Sequence, residues 1–434
     1  MPLYSTQNKN NIVDLRQAVM HSLPEDRGLY MPLEIPSFDS RHWKNLKELT
    51  FKEISYQVAK VLIGNELPDN ILEQIVYDTV NFPAPVVMLD EQIGALELFH
   101  GPSQAFKDFG ARFMSRLMSY YNKDSNQKIT ILVATSGDTG GAVAAGFHQI
   151  EGIEVIILYP SGKVSHLQEK QLTTYGDNII ACEIEGTFDD CQALVKQAFL
   201  DDDLKSKYSL SSANSINIAR LIPQTFYYFE MWKQLPEDGK ELIVSVPSGN
   251  FGNLTAGLIS KKMGLPVSKF VAATNINKVF PDYLITGLFR PHPSFSTISN
   301  AMDVGNPSNF VRILDLYEHK RDRLIKDVEG FYCNDTETEE SMKEAFDKYG
   351  YILDPHGAIG YRSLVKRSDK EEVYRSIFLE TAHPGKFLPT VEKVLQKTIP
   401  IPEKLKHFEQ KVKNSELFNS QFETFKEYLL SRDY

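Results

Sequence analysis

Residues 100–110 read HGPSQAFKDFG and place one lysine, Lys107, among aromatic neighbours. Phe106 precedes it, and Asp108 and Phe109 follow it. Apolar surroundings remove water from an amine and favour its neutral, nucleophilic form. Such an amine can attack an aldehyde and form a Schiff base. The alternative is a surface lysine that lays only its carbon chain on apolar neighbours, so other segments must decide between the two.

The chain beyond this segment alternates short apolar runs with stretches of helical period. The runs are rich in β-branched residues and are closed by Gly, Pro or Ser, which is typical of strands buried on both faces. They are ITILVAT (129–135), VIILYP (155–160), NIIACEIEG (178–186), LIVSVPSG (242–249), FVAATN (270–275) and YRSIFLETAHPG (374–385). Stretches such as TGGAVAAGFHQI and GNLTAGLISKKMG lie between them. This alternation predicts an α/β fold of parallel sheets with helices on both faces.

Three domains follow from the changes in pattern. Residues 1–90 are mostly helical or irregular, with proline-marked connections, and predict a separate N-terminal domain. Residues 91–240 carry Lys107 and the segment SGDT and include the smaller α/β domain. Residues 241–434 form the larger α/β domain and end in amphipathic helices packed on the outside.

Composition narrows the function classes. The chain has 434 residues, and 47 Lys and Arg against 57 Asp and Glu give a net charge of −10, which argues against a nucleic-acid partner. Three cysteines without a CxxC pair argue against a disulfide framework and a structural zinc site, so no metal is predicted. The first residues lack the apolar core of a signal peptide, and no run approaches the roughly 18 apolar residues of a membrane span. We therefore expect a cytoplasmic protein without a membrane partner.

Two loops between a predicted strand and a helix have the composition of anion sites. ATSGDTGGAVA (134–144) and VPSGNFGNLTAG (246–257) both join a buried strand to a small-residue helix. Small residues at a helix start leave backbone N–H groups free to face a ligand, and successive glycines can form a nest of such donors. For the first loop, a well-capped turn without a ligand is an equally good interpretation. Both loops lie at carboxyl ends of predicted parallel strands, where open α/β sheets bind ligands.

The second loop suits one phosphate group. It is neither GxxxxGK[ST] nor GxGxxG, so neither a nucleotide P-loop nor a dinucleotide fingerprint is present. A lysine, a phosphate nest and a polar loop are together what a pyridoxal 5′-phosphate (PLP) site requires. The lysine would bind the aldehyde of the cofactor, the nest its phosphate, and the polar loop the carboxylate of an amino-acid substrate.

Five segments, taken together and in order, resemble the threonine synthase family. They are HGPSQAFKDFGARFM, ATSGDTGGAVA, SANSINIARLIPQ, VPSGNFGNLTAG and FLETAHPGKF, and the similarity extends from the opening LYST to about residue 390. The resemblance implies the PLP fold type II, with two parallel-sheet domains and a mostly helical N-terminal domain. It also implies a carbon–oxygen lyase that converts O-phospho-L-homoserine and water to L-threonine and phosphate.

The resemblance also implies roles for individual residues. Lys107 would bind the cofactor as a Schiff base, Asp138 would lie near its ring hydroxyl, and Thr381 would face its pyridine nitrogen. The phosphate loop matches at Gly249, Asn250, Phe251, Gly252 and Asn253. The Asn and Phe side chains add bulk to a loop that is almost all glycine in many relatives of the fold. The residues expected to bind the substrate are Ser136, Gly137, Thr139, Lys163, Asn217 and Arg220.

Two other functions are consistent with the same segments. A related lyase of this fold, such as a threonine or serine dehydratase, would use the same lysine and phosphate loop. A threonine-synthase-like protein without activity would have lost one of them, and neither is lost here. We expect a monomer or a homodimer.

Overall fold

The described part of the chain folds around three β-sheets. The computed structural model describes residues 1–38, 45–125, 128–367 and 374–432, so the last two residues of the predicted third domain lie outside it. Its strands are β1 (Leu3–Ser5), β2 (Ile12–Val13), β3 (Tyr30–Pro32), β4 (Val86–Met88), β5 (Ile93–Glu97), β6 (Ile129–Ala134), β7 (Ile153–Pro160), β8 (Ile179–Glu185), β9 (Ser209–Ser212), β10 (Glu241–Pro247), β11 (Lys269–Thr274), β12 (Val328–Tyr332), β13 (Tyr374–Glu380) and β14 (Glu416–Asn419). All six predicted strand segments are present.

Helices connect these strands and cover the sheets. They are α1 (Leu15–His21), α2 (Phe51–Ile63), α3 (Asp69–Thr79), α4 (Lys107–Asn122), α5 (Asp138–Phe147), α6 (His166–Thr173), α7 (Phe188–Leu200), α8 (Asp202–Lys207), α9 (Ile218–Leu221), α10 (Phe226–Gln234), α11 (Gly252–Lys262), α12 (Val279–Thr286), α13 (Phe310–Leu316), α14 (Arg321–Asp327), α15 (Asp335–Tyr349), α16 (Pro355–Val365), α17 (Leu388–Leu395), α18 (Glu403–Glu409) and α19 (Phe422–Ser431). Several begin where the sequence supplies a capping side chain, and α2, for example, starts with a reciprocal Thr50–Glu53 capping box.

Two of the sheets are mainly parallel, as the alternating pattern predicts. The larger has six strands in the order β12-β11-β10-β13-β5-β4, and only the β4–β5 pair is antiparallel. The smaller has five parallel strands in the order β14-β8-β7-β6-β9. Strands β6, β7 and β10 are almost wholly buried, because helices cover both faces of their sheets.

The N-terminal segment combines helices α1–α3 with an antiparallel sheet of order β2-β1-β3. The small sheet is absent from the prediction, since strands of two or three residues are too short to show a period. Phe109 anchors this segment to α4: its ring packs against Phe51 and Phe82 at centroid distances of 6.0 and 4.9 Å. This phenylalanine therefore serves the core and does not surround Lys107.

The chain crosses between the sheets more often than the predicted domain ranges suggest. β5, in the predicted range 91–240, pairs with β13 in the larger sheet. β14, in the predicted range 241–434, forms the edge of the smaller sheet beside β8. Pairings across such sequence distances depend on tertiary packing and leave no local signal.

Side-chain composition adds three observations on the described ranges. No helix there is long and apolar enough to cross a membrane. No group of three or more His, Cys, Asp or Glu residues is placed to hold a metal ion. Cys182, Cys191 and Cys333 are buried free thiols.

Arg312 joins the N-terminal segment to the centre of the molecule. Its side chain is fully buried on α13 and donates to the carbonyl oxygens of Tyr30, Ser215 and Ile216. It also donates to Oδ1 of Asn309 at 2.7 Å. The guanidinium thus provides hydrogen-bond donors to three backbone carbonyl groups at once.

Replacing Arg312 with Met should lower the free energy of unfolding by about 3 kcal/mol, because buried carbonyl groups lose a charged donor. Urea unfolding followed by circular dichroism measures the change. Arg323→Met is the matched control, since Arg323 is 56% exposed and pairs with Glu318 at the surface. An equal loss of stability in the two variants would contradict the structural role of Arg312.

Candidate active site

A cavity opens where strands of the two parallel sheets end. It measures about 800 Å³ including its opening to solvent, and it is bounded by the residues that follow β6, β10 and β13. Many residues that the sequence singles out line it together: Lys107, Ser136, Asp138, Thr139, Arg220, Gly249, Asn250, Phe251, Gly252, Asn253 and Thr381. They come from five separate parts of the chain.

Lys107 is the first residue of α4 and extends into this cavity. Its Nζ lies 5.6 Å from the centre of the Phe106 ring. Burial lowers the pKa of Lys107 to about 8; the carboxylate of Asp138 opposes this effect, and the charges of Lys386 and Arg220 add to it. A far larger fraction of this amine is therefore neutral near physiological pH than of an ordinary lysine, as a Schiff-base lysine requires.

Two bulky side chains of the loop after β10, those of Phe251 and Asn253, make contacts within the protein. Phe251 has a left-handed backbone (φ 57°), and its ring packs in the core against Phe280 at 4.6 Å. The amide of Asn253 donates to the carbonyl oxygen of Pro247 at 2.8 Å. Gly252 and Asn253, the first two residues of α11, line the cavity. N–H groups at a helix start have no partners inside the helix and can bind an anion.

Close packing also requires glycine in this loop. A Cβ at Gly249 would lie 2.9 Å from Cα of Met302 and 3.0 Å from the carbonyl oxygen of Ala301. The neighbouring backbone could not make room for it. Glycine at this position therefore lets the loop pack against the backbone of Ala301 and Met302.

Asp138 is buried at the start of α5 and is held by two donors. Oδ1 accepts from Nζ of Lys386 at 2.7 Å and from Nε2 of Gln168 at 3.0 Å. Burial alone would raise the pKa of Asp138, but the charges of Lys386 and Lys107 hold it well below its usual range. The cavity thus contains a permanent carboxylate beside the neutral-prone amine.

Gly137 supports this carboxylate without lining the cavity. Its backbone has φ 131°, and a Cβ there would lie 2.5 Å from Cδ of Gln168. Any side chain would therefore displace the amide that holds Asp138. The remaining polar residues of the loop, Ser136 and Thr139, line the cavity beside it.

Thr381 lies directly after β13 and links this strand to the lysine segment. Its carbonyl oxygen accepts from the N–H of Phe106 at 2.8 Å, and its side chain lines the cavity. The strand end and the start of α4 are therefore fixed relative to each other.

Arg220 is a buried cation with unused hydrogen-bonding capacity. It is 3% exposed and lines the cavity, and one of its terminal nitrogens donates to the carbonyl oxygen of Ala213. Its Nε–H has no hydrogen-bond partner within the described residues. Burial lowers the pKa of Arg220 to about 10, so it remains charged at neutral pH. Such a group is suited to bind an anion.

Two further residues expected to bind substrate also lie outside the cavity. Lys163 is exposed in the turn after β7 and does not line the cavity. Asn217 is fully buried and caps α9, where its amide donates to the carbonyl oxygen of Val19 and to Oγ of Ser22. Its side chain therefore stabilises the fold. The sequence does not reveal this role, because an N-cap asparagine and a ligand-binding asparagine look alike in sequence.

Two residues near the cavity were missed by the sequence analysis. Lys386, in the segment FLETAHPGKF, has a fully buried side chain bound to Asp138. His356 lines the cavity; its Nε2 accepts from the N–H of Ala301 at 3.2 Å, and its Nδ1 contacts Asp354. The sequence gives a signal for Lys386 alone, which lies within the family-like segment FLETAHPGKF. A single Lys or His without such a context is usually structural.

The residues present fit the cofactor that the sequence suggests. A neutral-prone lysine, a helix start with free N–H groups and a strand-end hydroxyl lie around one cavity. Arg220, a buried cation, lines the same cavity. This combination is typical of an enzyme that acts on an anionic amino acid with PLP.

Comparison with known proteins agrees with this class. Residues 88–378 match a family model described as pyridoxal-phosphate dependent enzyme. Residues 3–80 and 357–429 match models described as the threonine synthase N terminus and the C-terminal part of threonine synthase. The chain is therefore a PLP-dependent enzyme, and its terminal regions are those of a narrower group.

Individual relatives identify that group. Threonine synthase of Haemophilus influenzae is 46% identical over 431 residues, which cover 99% of this chain and 100% of the relative. The crystal structure of threonine synthase from Escherichia coli has a TM-score of 0.94 at 42% identity and covers all of both chains. That of PLP-bound threonine synthase from Brucella melitensis has a TM-score of 0.91 at 32% identity, over 99% and 98% of the two chains. This chain belongs to the threonine synthase family.

The amine of Lys107 should react as a base with a pKa near 8, about two units below an ordinary lysine, because burial opposes its charge. Competitive labelling of the cofactor-free protein with a trace of acetic anhydride, followed by peptide mass spectrometry, gives the rate at each pH. The rate should rise through pH 8 and level off above it. The exposed Lys163 is labelled in the same samples as reference, and a midpoint near 10.4 for Lys107 would contradict the assignment.

Proposed function

We propose that this chain converts O-phospho-L-homoserine and water to L-threonine and inorganic phosphate. The observation that carries the proposal is the presence of Lys107, the loop 249–253 and Arg220 around one cavity. They provide an amine for the cofactor, donors for the cofactor phosphate, and a separate cation for the phosphate of the substrate. A lyase acting on an uncharged hydroxyl side chain would not need the last of these.

The residues around the cavity suggest how the cofactor is held. When bound, PLP supplies an aldehyde that reacts with amines and a ring that withdraws electrons from Cα of the substrate. Lys107 would bind the aldehyde carbon, and the first N–H groups of α11 would bind the phosphate. The hydroxyl of Thr381 would face the ring nitrogen, and Asp138 would lie near the ring hydroxyl.

Lys107 is the residue that we assign to proton transfer at Cα. Its free amine would take the proton from Cα of the substrate, and the ammonium group so formed would later return a proton there. A pKa near 8 suits both directions, since base and acid forms are then both accessible at neutral pH. Phe106 limits water around this nitrogen.

Arg220 and the loop after β6 would orient the substrate. Arg220 would bind the γ-phosphate of the substrate and then the phosphate that leaves, because a guanidinium matches the geometry of an oxyanion. Ser136 and Thr139 would receive the carboxylate of the amino acid. We further propose that the enzyme acts in the cytoplasm, in keeping with its three cysteines without a CxxC pair. We expect it to be a monomer or a homodimer.

Lys107→Ala should remove both the bound cofactor and the activity. The wild-type protein loaded with PLP should absorb at about 410–420 nm, the range of a lysine-bound cofactor, and should release phosphate and threonine from O-phospho-L-homoserine. The variant should lack the band and the release. A Lys107→Ala protein that retains both would refute the assignment. Ammonia release from L-threonine or L-serine by the wild type, without phosphate release from O-phospho-L-homoserine, would favour a dehydratase.

Arg220→Met should raise KM for O-phospho-L-homoserine at least about tenfold, because a charged pair is lost, while the affinity for PLP changes little. Asn217→Ala, on the same short helix, is the matched control. It should lower the free energy of unfolding by about 2 kcal/mol, since it removes an N-cap and buried hydrogen bonds, and leave KM unchanged. Unchanged KM in Arg220→Met would exclude Arg220 as a phosphate ligand.

A further inference from the structure

We propose that Lys386 is a positioning residue of the active site: by carrying the positive charge that Asp138 requires, it allows Lys107 to be a neutral amine. The inference rests on the proposed role of Lys107. It assigns a function to a second buried lysine that is not itself in contact with the cavity.

The first support is the burial of Lys386. It lies in the short 3-10 turn Pro384–Phe387 that follows β13, and its side chain is 0% exposed. A lysine is almost never buried to this extent unless it is paired. Such a buried side chain must therefore have partners that stabilise its amine.

Its partners are two strand-end loops. Nζ lies 2.7 Å from Oδ1 of Asp138 and donates to the carbonyl oxygen of Ser103 at 2.9 Å. The backbone N–H of Ser103 in turn donates to Oδ2 of Asp108, the residue next to Lys107. Lys386 thus ties the loop before α4 to the loop before α5, and it fixes the carboxylate of Asp138 in one orientation.

The second support is the charge balance around Asp138. Its carboxylate lies within the electrostatic influence of Lys386, Lys107 and His356, which come from different elements. Lys107 in turn faces Asp138, Lys386 and Arg220. A carboxylate beside a single lysine would hold that lysine as an ammonium ion. With Lys386 as the close partner, the charge of Asp138 is already balanced, and Lys107 is free to lose its proton.

This arrangement predicts shifts of opposite sign for the two members of the pair. Lys386→Met leaves Lys107 as the nearest cation to Asp138, so the labelling midpoint of Lys107 should rise by about one pH unit or more. Asp138→Asn removes the charge that favours the ammonium form and leaves Lys386 in place, so the midpoint should fall below that of the wild type. The double variant should return towards the wild-type midpoint.

The experiment is the pH profile of Lys107 labelling in the cofactor-free protein, measured for each variant. Lys386→Arg should keep the wild-type midpoint because it keeps the charge, and Lys163→Met, which removes an exposed lysine outside the cavity, should have no effect. An unchanged midpoint in Lys386→Met would overturn the inference. If that variant does not fold, Lys386→Gln is measured in its place: a higher midpoint supports the inference, and an equal or lower one overturns it.

The labelling requires neither cofactor nor substrate, so this inference and the proposed function can fail separately. A protein that forms threonine but shows no effect of Lys386 on Lys107 would retain the function and lose the inference. A protein with the expected shifts but no threonine formation would do the reverse.

Discussion

The structure depends on a buried carboxylate that lies between two lysines. Asp138 holds Lys386 by a direct ion pair and Lys107 by a longer-range interaction. Burying charges is costly unless each one has a partner, so the loops that carry them cannot move independently. The same balance gives Asp138 a close positive partner in Lys386 and leaves Lys107 reactive. Position and reactivity at this site therefore have a common electrostatic origin.

The fold provides this arrangement by bringing the ends of strands from two sheets together. Residues after β6, β10 and β13 line one cavity, and α4, α5 and α11 start beside it. Helix starts provide unpaired N–H groups, and the carboxyl ends of the strands hold the following loops at defined positions. Buried side chains such as Arg312 and Asn217 then hold the surrounding segments without contact with the cavity. A polar site can so be built inside an apolar core.

The sequence predicted the six principal buried strands and the loops at their ends, because period and composition are local properties. It also predicted that Lys107 and the loop 249–253 belong together, and both line the cavity. It could not separate Asn217 from Arg220, which follows three residues later. Only the fold shows that Asn217 binds Val19 and Ser22 whereas Arg220 lines the cavity. Lys386 was missed for the same reason: its importance comes from Asp138, almost 250 residues earlier.

The order of strands has a consequence for synthesis on the ribosome. β5 becomes an interior strand of the larger sheet only when β13 is available, and β8 loses its open edge only when β14 has emerged. Both partners are made long after the strands they pair with, so the nascent chain exposes two unsatisfied sheet edges until β13 and β14 emerge. Such edges are prone to intermolecular pairing. Strands β13 and β14 therefore protect the earlier strands from aggregation as well as completing the two sheets.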